Sequence, residues 1–519
     1  MSVLDRWRAA IAFAIAPRRR SFAGAQYTRL NAGDWIFATS RSAEADTKAD
    51  LRQLRNRARE LRKNSPFGAR YTQVLVEGVL GDCGIRLQAK NQTLEGKLFT
   101  RANQAIEDAW EDAGTIRNWD VEKKLTRDEQ LALSVGQWGD DGEILIRQYR
   151  GPRFGPYGYQ AQVLDPDLLD ETFNQERVGT MPRIVQGVEY DDLGAPAAYW
   201  LWNRHPSDSG GLNRERTRVP ASDIIHTFLP MRAGQPRGIP HASAIMATLR
   251  MLDGYVEAEL VAARTASAKM GAVVDSDPQS PSVRSPSAGG ATIPAEAEPA
   301  TLMDLRGQQA KLDLWDPQHP TAAFPDFMKT MARFIAVGYG ISYHTLTGDL
   351  SDANYSSMKV GEQPERMHFK RLQRFVIDHV LQELYRNWLA MALLNGKITG
   401  VTDFSVERYT RVAWQPRGFA SPDPLKDAQA DYMDVAAGTR TLTEICAARG
   451  RDFGEVLEER KQELELLKAA GIESVLPIAK PKGASDTAED GSGDAGDDTS
   501  GADESAATKK PRQLRMANA

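Results

Sequence analysis

Cysteine is nearly absent from this 519-residue chain: Cys83 and Cys446 stand far apart and form no CxxC pair. A disulfide framework is therefore not expected, and a reducing cytosol is the natural setting. Long apolar runs are missing as well. The stretch from Ala9 to Pro17 is too short for a bilayer span, which needs about 20 apolar residues. Its arginines, Arg18 to Arg20, follow the apolar run instead of preceding it, the reverse of a secretory signal. An amphipathic or disordered N-terminal arm over residues 1–26, and no membrane partner, are expected. The chain holds seven histidines, and none are paired at metal-ligand spacing, so each is read as structural. No GxxxxGK[ST] loop and no GxSxG elbow occur, which excludes a P-loop motor and an α/β-hydrolase nucleophile on motif grounds. The glycines Gly78, Gly81 and Gly84 have GxxGxxG spacing, and no acidic residue follows where a dinucleotide fold needs one. The pairs Asp140-Asp141 and Asp191-Asp192 read as turn residues, explained by turn chemistry without a metal. No enzyme, cofactor or metal site is expected.

What is present is an ordinary globular composition, 41% hydrophobic and 26% charged, long enough for a large core. The formal charge of −5 conceals a gradient. Residues 1–70 hold 15 basic and 6 acidic side chains, a net of +9, and residues 484–519 carry −4, leaving −10 for the middle. Bulk positive charge for coating nucleic acid is lacking.

Residues 44–64 combine a Leu51, Leu54, Ala58, Leu61 stripe with arginines on the other faces, which predicts an amphipathic helix. Its arginine-covered side reads as a solvated surface, with a DNA-binding helix as the alternative. The segment 71–90 reads as strand-like around its glycines, followed by helices over 94–113 and after Leu125. A turn from Gly139 to Gly142 then leads into a strand. Residues 189–200 predict a hairpin closed by Asp191-Asp192-Leu193-Gly194. A helix over 242–272, a loop-rich insertion and a second helix over 322–337 suggest an antiparallel stalk with a small domain at its tip. Residues 338–356 read as a loop, followed by a long helix over 358–394. Near the C-terminus, Thr441 and Glu444 fit a capping box, with Gly438 ending the helix before it.

Several phrases are similar to one known family. They include RNRARELRKNSPFGA, GDDGEILIR, GVEYDDLGAPAAYWLW and RAGQPRGIP, followed at the right distance by GISYHTLTGDLSDANYSSMK. In this order, over roughly residues 27 to 470, the chain resembles the lambda-type portal proteins of tailed bacteriophages. The resemblance implies an α+β portal fold. Its wing would span 27–241, with stem helices at 242–272 and 322–340 and a clip between them at 273–321. A tunnel loop would follow at 341–357, a long helix and wing return at 358–419, a helical crown at 420–476 and a disordered acidic tail at 477–519. It also implies a homo-oligomeric ring, usually of twelve copies, at one capsid vertex, with double-stranded DNA passing through the channel. The implied partners are the terminase large subunit, the major capsid or scaffolding protein, and head-completion or adaptor proteins. The implied location is the host cytoplasm during assembly and then the virion.

On that resemblance, Tyr343, His344, Asp349, Asp352, Asn354, Tyr355 and Lys359 are candidates to touch or gate DNA. An intersubunit packing loop is the alternative. Lys329 and Arg333 are candidates for a sparse basic ring lower in the stem, and Lys311, Asp313 and Trp315 for docking at the clip. A different capsid or tail structural component, or a DNA-packaging enzyme, are the competing functions.

Overall fold

The computed structural model describes residues 40–82, 84–92, 99–208, 215–267, 271–274, 311–314, 323–351, 355–399, 401, 405–419, 424–449, 451 and 453–470. The expected N-terminal arm, most of the clip including Trp315, the positions Asp352 and Asn354, and the acidic tail lie outside them. The chain divides into two units, one built from residues 1–424 and 441–453, the other from 425–440 and 454–519.

The first unit opens with helix α1, Ala43–Asn64. Ser42 caps it by accepting the Ala45 amide at 3.1 Å. Glu44 and Asp46 sit in its first turn and Arg62 and Lys63 in its last, each sign at the favourable end of the helix dipole. Leu51, Ala58 and Leu61 of the apolar stripe are buried. Helix α2, Pro66–Leu80, follows at once. Here the strand-like expectation fails: Tyr71, Leu75 and Val79 recur every fourth residue and are buried along one helix face. Gly78 lies inside that helix, where an added Cβ would stand 2.4 Å from the Phe369 ring. The glycine admits an aromatic neighbour and forms no phosphate loop.

Strand β1, Arg86–Ala89, pairs antiparallel with the distant strand Val412–Gln415, Arg86 opposite Gln415 and Ala89 opposite Val412. Helix α3, Thr100–Ala113, a short helix α4, Ile116–Trp119, and helix α5, Arg127–Asp141, come next. A capping box starts α5: Thr126 and Glu129 each accept the other's backbone amide, at 3.2 and 2.8 Å. Gly142, at φ 86°, ends it, so the expected turn over 139–142 is narrower: Gly139 to Asp141 are helical. A Cβ on Gly142 would lie 2.2 Å from the Ile239 carbonyl carbon, so only glycine lets the 237–239 backbone cross there.

Strands β2 (Ile144–Arg150), β3 (Tyr159–Val163) and β8 (Ile224–Thr227) form an antiparallel sheet in the order β3-β2-β8. Between β3 and β8 rises a four-stranded meander of β4 (Arg183–Val185), β5 (Val188–Tyr190), β6 (Pro196–Trp202) and β7 (Arg216–Pro220). The hairpin expected over 189–200 is its β5–β6 pair. Asp191 Oδ1 accepts the amides of Leu193 and Ala195, and Gly194 takes φ 84°.

Helix α6, Met246–Ser267, leads to strand β9, Gly271–Val274, so the helix expected to reach 272 stops short. Strand β10, Lys311–Leu314, pairs antiparallel with β9, placing Lys311 opposite Val274 and Asp313 opposite Ala272. Helix α7, Phe324–Tyr339, returns alongside α6: Tyr255 meets Phe327 edge-on at 5.0 Å between ring centroids, and a Cβ on Gly338 would clash with Ile245. The expected loop is partly helical. Helix α8, Tyr343–Thr347, occupies it, and helix α9 begins at Tyr355, three residues before the expected start. Helix α9 runs to Val376 through Pro364, passes through a π turn at Ile377–Leu381 and continues as α10, Gln382–Leu394. Helix α10 carries Tyr385 and Trp388 against Trp110, with ring centroids at 5.6 and 5.0 Å, in a fully buried aromatic centre.

Helix α12, Leu442–Ala448, also belongs to this unit. Thr441 and Glu444 form the expected capping pair at its start, at 3.0 and 3.2 Å. In the second unit, helix α11, which begins at Pro424 in the first, ends at Ala436. Gly438 follows at φ 73°, and Arg440 returns to Asp431 at 2.5 Å. Helix α13, Phe453–Ala469, supplies the rest of what is described there.

Candidate functional site

The turn between α7 and α9 is shaped by its own side chains. Ser342 Oγ accepts the Thr345 amide at 3.2 Å, which starts the single-turn helix α8. Gly348, at φ 72°, ends it. Asp349 then closes the turn back on α8: one carboxylate oxygen accepts the Tyr343 hydroxyl at 2.7 Å and the other accepts the Ser351 amide at 2.9 Å. Its carbonyl oxygen meets His344 Nδ1 at 2.7 Å, so that nitrogen carries the donated proton. The Tyr343 hydroxyl and the Ser351 contacts hold the Asp349 carboxyl well below the usual range, and Asp349 in return raises the Tyr343 phenol. Thr345 Oγ1 donates to Glu365 on α9 at 3.1 Å, and Leu346 is buried beneath the turn.

From α7, Lys329 Nζ reaches Ser351 Oγ at 3.3 Å, and the Arg333 guanidinium stands 5.4 Å from the Tyr343 ring centroid. The expected stem cations Lys329 and Arg333 thus meet three of the expected loop residues, Tyr343, His344 and Asp349, at one turn. Tyr355 and Lys359 stand in the first turns of α9, and Lys311 and Asp313 on β10, away from this turn in sequence.

A second cluster was not foreseen. The arginines of α1 do not all face solvent: Arg52 and Arg57 are exposed, but Arg55 is fully buried, and Arg59 and Arg62 follow it at helical spacing toward a row of carboxylates. Arg55 donates to Glu143 at 2.6 Å and to Asp167 at 3.1 Å. Arg59 binds Asp141 at 2.6 Å, Asp165 at 2.8 Å and Asp167 at 2.6 Å. Arg62 pairs with Asp140, which also accepts the Thr72 hydroxyl at 2.8 Å. Asp140 and Asp141 are therefore buried at the end of α5, and turn chemistry does not explain them.

Glu143 is the hub. Besides Arg55 it accepts Arg237 Nε at 3.0 Å, the Gly238 amide at 2.9 Å and His226 Nε2 at 3.0 Å. Burial alone would raise this carboxyl, but Arg237 and Arg55 outweigh it and hold Glu143 well below the carboxylate range. His226, buried beside them, is pushed down by desolvation against the pull of Glu143, which favours the neutral ring. At Asp141 burial wins despite Arg59 and lifts the acid to about 6. The grouping of Asp165, Asp167 and His205 has ligand-type atoms within 4.8 Å of one another, but Arg59 already occupies both carboxylates. The available signal was the 52, 55, 59, 62 spacing of arginines together with acids at 140, 141, 143, 165 and 167.

A family model described as phage portal protein, lambda family, matches residues 28–373. The probable portal protein of Halomonas phage phiHAP-1 is 30% identical over 461 residues, 87% of this chain and 88% of the relative. The portal protein of Escherichia phage N15 is 23% identical, over 83% of this chain and 88% of its own, and portal protein B of Escherichia phage lambda 22%, over 83% and 87%. Among solved structures, the neck of a native gene transfer agent particle aligns over 75% of this chain and 92% of its own, at 15% identity and a TM-score of 0.41. The chain belongs to the lambda family of phage portal proteins: it is a structural component of the phage particle and not an enzyme. Among the described residues no helix is long and apolar enough to cross a membrane.

Proposed function

We propose that copies of this chain assemble, twelve to a ring, into the DNA channel at one capsid vertex, with the α7–α9 turn directed at the passing duplex. The observation that carries the reading is the clasp. Lys329, Arg333, Tyr343 and Asp349 converge on one short turn that is stiffened before any partner arrives. Leu350, 57% exposed, stands at its apex. Each side chain recurs around a ring, so a single turn becomes a belt. Dense cations in that belt would grip phosphates and make binding strong and salt-sensitive. Here Asp349 sits among the two cations, and the chain between residues 70 and 484 is acidic, a balance that supports passage over capture.

The helix pair α6 and α7 would form the stem. Met251 and Val261 on α6 and Phe334 and Val337 on α7 are more than half exposed, which supports neighbouring copies as their cover. The β9–β10 ribbon, with Lys311 and Asp313, would open the clip, where the terminase large subunit and later the head-completion proteins dock. Capsid or scaffolding protein would meet the outer surface. Assembly would proceed in the host cytoplasm before the ring enters the virion.

Negative-stain images of the purified protein are expected to show rings with a central hole, and monomers or solid spheres at all concentrations would overturn the ring. Replacing Asp349 and Asp352 with alanine is expected to lower DNA packaging or retention. Unchanged packaging would remove the turn from any gating role and leave it as packing.

A further inference from the structure

The four-stranded meander ends in a bare tip. Asp191 Oδ1 binds two amides of the β5–β6 turn, and this holds Leu193 outward at 95% exposure. The neighbouring loop turns through Val178 and Met181, which are 67% and 58% exposed and joined by the Met181 amide to the Val178 carbonyl at 3.0 Å. Arg177 and Asp192 tie the two turns together at 2.5 Å. Three large apolar side chains therefore stand on a fixed platform, rimmed by the exposed acids Glu176, Asp191 and Asp192. Among the described residues nothing packs over Leu193.

A second surface has the opposite sign. Along α9, Met367 is 69% exposed, and Lys370, Arg371 and Arg374 follow on the same outer face at helical spacing, all exposed. This patch is apolar at one end and basic through Lys370, Arg371 and Arg374, and ends where Asp378 pairs with Arg374 at 3.4 Å.

We infer that the acidic, leucine-bearing tip of one copy docks on the basic α9 stripe of the next. The inference rests on the ring reading above. A closed ring built head to tail needs two different patches on each chain, since the surface one copy offers is not the surface it receives. The tip and the stripe meet that condition. Opposite charge steers one onto the other and fixes the register, while tip against tip or stripe against stripe would repel. Both surfaces also carry exposed apolar groups, Leu193 and Met367, able to pack once the charges have aligned the copies.

The test uses the full chain with Cys83 and Cys446 replaced by serine. One preparation carries Leu193→Cys, the other Met367→Cys, and the two are mixed, assembled and treated with a short bismaleimide. A covalent dimer is expected in the mixture and in neither preparation alone. Lys370→Glu with Arg374→Glu is expected to lower ring yield at least tenfold, and adding Glu176→Lys with Asp192→Lys to the same chain to restore it. Rings that form without the cross-link and tolerate the reversed charges would overturn this contact and leave the ring standing. Monomers from the unaltered chain under every condition would overturn the ring and the contact with it.

Discussion

Glu143 is a buried anion held by two buried guanidiniums, and the energetics of such a group are lopsided. Removing one partner leaves charge stranded away from water, which costs more than the intact pair contributes. Glu143→Ala is therefore expected to destabilise the fold by about 3–5 kcal/mol in chemical denaturation. Arg52→Ala, which breaks the pair with Glu171 at a site where Arg52 is 66% exposed, should cost within about 1 kcal/mol. The pH dependence divides the two kinds of acid in this seam. Glu143 is more acidic folded than unfolded, so its contribution is present above its unfolded pKa and is lost as pH falls through the folded value. Asp141 has the opposite sign. Its folded value near 6 lies above the unfolded one near 3.8, so the folded state holds the extra proton between them and stability declines as pH rises through that window. Asp141→Asn is expected to flatten the decline between roughly pH 4 and 6 in melting temperature measured against pH. A result in which the slope is unchanged would place the titration elsewhere.

At the scale of elements, α2 and α9 meet where Gly78 lies under Phe369. Gly78→Ala is expected to cost about 1–3 kcal/mol by forcing that ring aside, and Phe369→Leu in the same chain to recover part of it. The clasped turn behaves differently because it is exposed. Tyr343→Phe leaves packing intact but removes the bond to Asp349, so limited proteolysis within 342–351 should quicken while the melting temperature holds. Much of this architecture was legible in the sequence. The β5–β6 hairpin, the Thr441 capping box and the long helices are local signals, written within short stretches of the chain. Helix α2 was misread because Val74, Val76 and Val79 are strand formers by propensity, and the four-residue spacing of its buried face outweighed them. The arginine row was misread for a different reason: its acids lie far along the chain, and a helix face opposite a leucine stripe looks solvated until its partners are known. In the turn, the union of Tyr343 and Asp349 with Lys329 and Arg333 depends on how α7 returns, which no local pattern encodes.

For the whole molecule, the charge distribution found in the sequence has changed meaning. The basic head expected over residues 1–70 does not face outward throughout, because part of its charge is spent internally on the carboxylates of α5 and the 165–167 turn. Raising salt should therefore loosen contacts between copies more than the fold, since buried pairs are screened far less than exposed ones. Sedimentation at increasing salt is expected to release folded monomers before any loss of helical signal. The same seam bears on how the chain is made. The partners of α1 lie from 78 residues downstream, at Asp140, to 186 residues downstream, where Arg232 binds Asp46. At ribosomal speeds of roughly 5–20 residues per second, α1 waits about 10–40 s for the last of them. Until then a nascent chain displays a cationic helix, and an element synthesised early is among the last to be locked in place.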